Sequence, residues 1–382
     1  MTKVLIVPMG AMARTAGSAK RAHTLAKALK ERQIETAICQ CKDPNYRKAE
    51  REYIISTPVP MGLPEAIGKR TFPIANKLGI TKRKEVKSFA EVLRLTGNSD
   101  YKYIKKATQE IREAIKDFEA DIIYSEFSIP AILAARLENK TVYGTISYPT
   151  QSDYYKVYKY KEGINRFRTE NNLKPLDSIL DIFDELDVKF VPSIEELEPI
   201  QDVVTYAGAW EKPEEEKEEQ QRTKIVVYMG NGTISPERAR EVIEEATEDE
   251  EVYIAGIDKE ETGRINTAKQ FNFKELLPQA KIFINHGGQN SIIDGLIYGV
   301  PQIICPGKVF ERKYNARSID KNHAGIYITD KDFTVKTIKE AIKDIGNDPT
   351  YTDQAKHLGN KLREKNGAAT VADEIERSAA SD

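Results

Sequence analysis

Phe283-Ile284-Asn285-His286-Gly287-Gly288-Gln289-Asn290-Ser291-Ile292-Ile293-Asp294-Gly295, continued by Gly299-Val300-Pro301, passes from an apolar run through paired glycines to amide and hydroxyl side chains. The pattern reads as a buried strand, a sharp turn and a helix. A helix that opens this way presents free backbone N–H groups and a partial positive charge, which suits a phosphate or diphosphate. Gly287 and Gly288 let the backbone approach a ligand without a Cβ in the way. His286 adds a side-chain donor at the strand end. Asp294 lies four residues after Asn290 and three after Ser291, so the three share one helix face. A carboxylate one turn beyond a phosphate cradle is placed to accept hydrogen bonds from ribose hydroxyls. The segment is built for a nucleotide diphosphate.

Strand–turn–helix units recur on either side of it. In the C-terminal half, Ile225 to Met229 is an apolar run that turns at Gly230-Asn231-Gly232-Thr233 into a helix with Ser235 as N-cap and Pro236 at its first position. Val252 to Ala255, Lys281 to Asn285 and Gln302 to Cys305 supply further strands. The N-terminal half opens with Val4 to Val7, an apolar run fitting a parallel strand buried on both faces. Ala22, Leu25, Ala26 and Leu29 then fall at helical spacing, and Ile34 to Cys39 returns as a strand. Ile104, Ala107, Ile111, Ile115 and Phe118 mark an amphipathic helix leading into Asp121-Ile122-Ile123-Tyr124-Ser125. Pro130 sits in the first turn of the next helix, and Thr141 to Ile146 and Val188 to Val191 follow as strands. Periodicity thus predicts α/β architecture with doubly wound sheets. From Trp210 the composition shifts to Glu211-Lys212-Pro213-Glu214-Glu215-Glu216-Lys217, a run that cannot bury a core face and reads as a solvated linker. The expected organisation is a first domain over 1–209, a linker over 210–222, and a second domain over 223–382 that ends in a helical segment.

Composition narrows the class. A chain of 382 residues suits two domains, and a net charge of -2 argues against a nucleic-acid binder. No apolar run reaches membrane-spanning length, and the N-terminal run is too short for a secretory signal. Cys39, Cys41 and Cys305 lack metal-ligand spacing and read as reduced thiols of a cytoplasmic protein. No metal site and no cofactor are expected. Lys69, Arg70, Lys77, Lys82, Arg83, Lys84 and Lys87, with the stretch Tyr154 to Lys161, form basic and aromatic surfaces. These read as solvated faces, or as contacts to lipid phosphates at the inner face of a membrane.

His286-Gly287-Gly288, Asn290-Ser291, an acid three residues on, Gly299-Val300-Pro301, Pro306 and Asn315-Ala316 together resemble the donor-binding signature of family 1 glycosyltransferases, which include UDP-glucuronosyltransferases and macrolide glycosyltransferases. The resemblance implies the GT-B fold, two Rossmann-like domains facing across a cleft. It also implies transfer of a sugar from a UDP-sugar to an acceptor hydroxyl, with inversion and no bound metal. The N-terminal domain would hold the acceptor, whether a small molecule, a lipid-linked molecule or a glycan. On the donor side, Gly230, Asn231, Gly232 and Thr233 correspond to the turn beside the diphosphate, and Phe271 to Pro278, with Phe273, to the segment under the uracil. Glu311 falls at the acid that binds the transferred sugar. Arg312 stands where relatives place glutamine, and its charge suits an acidic or N-acetylated sugar or a further diphosphate contact.

One departure concerns the catalytic base. Relatives carry a histidine just after the first strand, oriented by a carboxylate from a later strand. Here Ser18 falls at the histidine and Glu126 at the carboxylate. Three explanations stand open: Glu126 is the base, with Ser18 or Lys20 positioning the acceptor; His23 substitutes; or this loop aligns differently. A UDP-sugar epimerase or hydrolase of the same architecture, or a non-catalytic nucleotide-sugar-binding protein, is the alternative function.

Overall fold

The N-terminal apolar run forms β1 (Lys3–Pro8), and Val4 to Val7 are wholly buried, as in a strand covered on both faces. The computed structural model describes residues 2–11, 16–42, 48–60, 67, 85–211, 221–230 and 232–379. After β1 come α1 (Ala16–Lys30), β2 (Glu35–Cys41), β3 (Glu52–Ile55), α2 (Phe89–Thr96) and α3 (Tyr101–Phe118). They are followed by β4 (Ile122–Glu126), α4 (Ile129–Leu137), β5 (Thr141–Thr145), α5 (Glu162–Glu170), β6 (Val188–Val191) and β7 (Thr205–Tyr206). Helix α3 shows how the pattern folds. Asp100 caps it by accepting from the N–H groups of Lys102 and Tyr103, and Ile104, Ala107, Ile111, Ile115 and Phe118 bury one face. The strands run parallel in the order β3-β2-β1-β4-β5-β6-β7. The order reverses between β1 and β4, where an open α/β sheet forms its binding crevice. Glu126 pairs with Pro8 at that point.

The second half repeats the plan with β8 (Lys224–Tyr228), α6 (Pro236–Ala246), β9 (Val252–Ala255), β10 (Glu260–Thr262), β11 (Ile265–Ala268), α7 (Phe273–Leu276) and β12 (Ala280–Asn285). Then come α8 (Gln289–Ile297), β13 (Gln302–Ile304), α9 (Phe310–Lys321), β14 (Gly325–Tyr327), α10 (Val335–Asn347), α11 (Thr350–Glu364) and α12 (Ala368–Ala379). The strand order is β10-β11-β9-β8-β12-β13-β14, with the reversal between β8 and β12. The donor segment read from sequence leaves the sheet at that reversal. Ser235 caps α6 as expected, accepting from the Arg238 N–H at 3.1 Å.

Two expectations need correction. The second domain does not run to the end of the chain, because α12 returns to the first sheet. Its Val371, Ala372 and Ile375 pack with Val4, Ile6, Leu25 and Leu29, and Asp373 pairs with Arg32 at 2.6 Å. The linker, too, does not begin as a solvated run. Trp210 donates its indole N–H to the Arg21 carbonyl at 3.1 Å, and Glu211 pairs with Lys20 at 2.9 Å; residues 212–220 lie outside the described residues.

The halves also touch opposite the linker. Val86 exchanges backbone hydrogen bonds with the 308–310 segment, both at 3.0 Å, and Glu85 pairs with Lys313 at 2.5 Å. Tyr148 and Tyr154 of the first half pack against Tyr314 of α9 with ring centroids 5.4 and 5.3 Å apart. Part of the stretch read as a basic surface is thus domain contact, while Tyr155 and Tyr158 stay exposed. Of the other basic residues, Lys69, Arg70, Lys77, Lys82, Arg83 and Lys84 lie outside the described residues. Among those described, no helix is long and apolar enough to cross a membrane.

Candidate active site

The turn from β12 into α8 is fixed by a buried amide network. Asn285 accepts from the Gly287 N–H at 2.8 Å and donates to Gln302 at 2.8 Å; Gln302 in turn donates to the Ile292 carbonyl at 2.9 Å. From α9, Asn315 donates to the Gly287 carbonyl at 2.9 Å. Gly287 needs its lack of a side chain, since its φ is +76° and a Cβ would lie 2.9 Å from the Arg312 carbonyl. Gly288 has an ordinary φ of -65°, but a Cβ there would lie 2.8 Å from Nε2 of His286. The glycines therefore make room for protein groups first, Gly287 for the Arg312 carbonyl and Gly288 for the imidazole. Among the described residues, no side chain caps α8. The N–H groups of its first turn, Gln289 to Ser291, lack intrahelical partners and are available to an anion.

His286 is buried and packs edge-on against Tyr228, ring centroids 5.3 Å apart. Its Nδ1 lies 3.3 Å from the Tyr228 carbonyl. A carbonyl only accepts, so Nδ1 carries the proton and Nε2 the lone pair. Burial, reinforced by the charge of Arg312, pushes the imidazole pKa down to about 4. At neutral pH the ring is uncharged. Its expected role as a donor to phosphate then requires a second proton, taken up with the ligand.

Around this cradle the predicted donor residues fall as follows. Gly230 and Gly232 lie against the imidazole: a Cβ at Gly230 would sit 3.0 Å from its Cε1, and one at Gly232 would sit 3.2 Å from its Cβ. Thr233 covers Gly307, and Asn231 lies outside the described residues. Phe273 opens α7, its ring 5.3 Å from that of Tyr228. Asn290 and Asp294 line a crevice between α8 and α1, together with Gly17, Lys20, Arg21, Trp210 and Glu211. Ser291 of the same turn is buried. Burial raises the Asp294 pKa to about 6, with Lys20 opposing that rise and Glu211 adding to it. Glu311 and Arg312 stand in the first turn of α9. Burial raises the carboxyl pKa of Glu311 and lowers the guanidinium pKa of Arg312, while each one's charge favours the ionised form of the other.

On the facing domain, Glu126 is wholly buried at the end of β4. One oxygen accepts from Arg21, with Nε at 2.7 Å and a terminal nitrogen at 2.6 Å. The other accepts from the Thr145 hydroxyl, which also contacts the Tyr124 hydroxyl at 2.8 Å. Both oxygens accept from protein donors and the carboxylate is wholly buried, so an acceptor hydroxyl does not reach Glu126 as a base. It positions Arg21 instead. Ser18 is nearly buried in the first turn of α1, and His23 lies further along the same helix.

Sequence reasoning missed Arg21, Asn285, Gln302 and Glu198. A strand-end carboxylate with no histidine to orient needs some cation, and Arg21, one turn past Gly17, was the signal for one. Glu198 had no such signal. It is buried, accepts from the Ser147 hydroxyl at 2.6 Å and the Tyr148 N–H at 2.7 Å, and receives the Gln289 amide across the domains at 3.1 Å. It thereby ties the first residue of α8 to the facing domain.

Comparison with known proteins bears on this geometry. Residues 239–377 match the family described as erythromycin biosynthesis protein CIII-like, C-terminal domain. The NDP-glycosyltransferase YjiC of Bacillus subtilis is 31% identical over 102 residues, 27% of this chain and 26% of that protein. The chain thus aligns with about a quarter of the length of such curated relatives. Likeness to solved structures extends over the whole fold. The kitacinnamycin glycotransferase superposes with a TM-score of 0.73 at 15% identity, covering 98% of both chains. Spinosyn rhamnosyltransferase SpnG in complex with thymidine diphosphate gives 0.72 at 14% identity, covering 98% of this chain and 100% of that one. These are GT-B structures, and the two facing doubly wound sheets share their fold.

Proposed function

We propose that this chain, a family 1 glycosyltransferase by its C-terminal half and a GT-B protein in its whole fold, transfers a sugar from a nucleoside-diphosphate donor to an acceptor held by the N-terminal domain. One observation carries the reading: at the switch point of the second sheet, a single strand–turn–helix carries a buried imidazole, a helix N-terminus that no described side chain caps, and a desolvated carboxylate. That order suits a diphosphate followed by a ribose. The diphosphate would lie on the N–H groups of Gln289, Asn290 and Ser291, with the Gly230–Thr233 turn beside it. Charge that develops on the departing diphosphate meets the helix dipole, His286 and Arg312. Glu311 would accept hydroxyl groups of the transferred sugar. Of the pyrimidine nucleotides, UDP is favoured, because Asp294 is placed to accept from both vicinal hydroxyls of a ribose and a deoxyribose offers only one. Inversion at the anomeric carbon and independence of a metal belong to the same proposal, and an epimerase or hydrolase reading is not favoured.

The test is release of nucleoside diphosphate from UDP-sugars and dTDP-sugars, with and without a cell metabolite extract. Acceptor-dependent release supports the reading. Release or isomerisation that needs no acceptor would count against transfer.

A further inference from the structure

Opposite the donor cradle, the cleft wall presents a fixed cation where an alcohol acceptor needs a base. Resting on the transferase reading, we propose that the acceptor attacks through an oxygen that is already an anion, a carboxylate or a phosphate monoester, and that Arg21 binds it.

Arg21 lines the same crevice as Asn290 and Asp294, and the charge of its guanidinium reaches Glu311 in the first turn of α9, across the cleft. Glu126 fixes one edge of that guanidinium, through Nε and one terminal nitrogen. The other terminal nitrogen, Nη1, lies 3.8 Å from where a Cβ on Gly17 would stand, beside the first turn of α1. A guanidinium oriented by a buried carboxylate is a rigid donor for an oxyanion. The phenyl ring of Phe127, 5.8 Å from the guanidinium carbon, helps hold the head group in place.

Among the described residues, the groups that could act as a base are committed elsewhere, Asp294 of the same crevice to the ribose. Of the chain's four histidines, His286 belongs to the donor cradle, His323 pairs with Asp348 and His357 lies in α11. His23 is two residues past Arg21 and so leaves α1 on another side. Both oxygens of Glu126 are occupied. Glu311 lies within reach of the charge of Arg21, on the side where the transferred sugar is expected. An acceptor that is already ionised needs none of them. Its oxyanion gives an electron pair to the anomeric carbon, the bond from that carbon to the diphosphate oxygen breaks, and the nucleoside diphosphate leaves with that pair. One negative charge passes from acceptor to diphosphate and no proton changes hands.

The experiment divides a metabolite extract by anion exchange and supplies each fraction, with UDP-glucose and dTDP-glucose, to the full-length protein. Acceptor activity is expected in the retained fraction. Loss on methyl esterification identifies a carboxylate, and loss on phosphatase treatment a phosphate. The product should open in mild alkali if it is an ester, or in mild acid if it is a glycosyl phosphate. Removing Arg21 alone strands a buried carboxylate, so the variant is Arg21→Gln with Glu126→Gln. It should raise the acceptor KM about 10- to 100-fold and leave the UDP Kd, read from fluorescence of the single tryptophan Trp210, unchanged. Activity in the unretained fraction, or a product stable to both treatments, overturns the proposal and leaves the transferase reading intact. A weakened UDP Kd with an unchanged acceptor KM makes Arg21 a donor ligand and also overturns it. Donor turnover with neither fraction nor the whole extract overturns both.

Discussion

Replacing Asp294 with asparagine should make the protein more stable and a poorer binder of nucleotide at once. The carboxyl pKa stands at about 6 in the folded chain against an ordinary 3.8. Between those values the native state holds a proton that the unfolded state has lost, so stability falls as pH rises through that window. The difference corresponds to about 3 kcal/mol once both states are ionised. A neutral asparagine of the same shape escapes that cost. Asp294→Asn is therefore expected to gain up to about 3 kcal/mol over wild type at pH 8 and almost nothing at pH 4. The same exchange removes charge-assisted acceptance from ribose hydroxyls, which should weaken UDP about tenfold or more. Urea unfolding at several pH values, followed by Trp210 fluorescence, gives the first quantity, and a UDP titration gives the second. An equal stability difference at pH 4 and pH 8, or a loss at pH 8, would refute the assignment of a desolvated carboxylate at this position. Unchanged UDP affinity would refute its role at the ribose.

Further expectations follow from the same geometry. Donor binding should take up a proton at His286, since Nδ1 is committed to a carbonyl and Nε2 must gain a hydrogen to donate. UDP-glucose Kd should tighten as pH falls toward about 6, below which protonation of Asp294 opposes the gain (in Asp294→Asn the tightening should run on to about pH 4), and the heat of binding at pH 7 should depend on the buffer's ionisation enthalpy; a buffer-independent heat would contradict this. His286→Ala should lower kcat about 100-fold, and wild-type turnover would remove the residue from the mechanism. Asn285→Ala leaves the Gly287 N–H and the Gln302 carbonyl oxygen without a buried partner. It should cost about 2–4 kcal/mol in denaturant unfolding and weaken UDP. Glu198→Ala strands the Ser147 hydroxyl and the Tyr148 N–H and leaves the Gln289 amide only a 3.4 Å contact to the Pro192 carbonyl; it should destabilise by about 3 kcal/mol, measured the same way, and an unaltered midpoint would show that the interface is not held there.

Much of this was legible in the residues. Val252–Ala255 appears at the bounds its apolar run suggested, because a largely buried strand leaves an unbroken signal, and Val188–Val191 does so although Lys189 interrupts its run. The β10–β11 hairpin was not legible, since Glu260-Glu261-Thr262 is polar and has no alternation to read. Helix α12 was legible as a helix but not as part of the first domain. Its apolar stripe says that it packs without saying on what. The cradle could be read because glycine, amide and acid spacing along one helix is a local pattern. The Arg21–Glu126 pair joins residues 105 positions apart. Only the meeting of β1 and β4 at the switch point brings them together.

A crystal structure of the protein with UDP tests the donor site most directly. The diphosphate is predicted on the first-turn N–H groups of α8, within hydrogen-bonding distance of His286, with the ribose hydroxyls on Asp294. A nucleotide bound anywhere else, or one whose phosphates point away from that helix end, would contradict it.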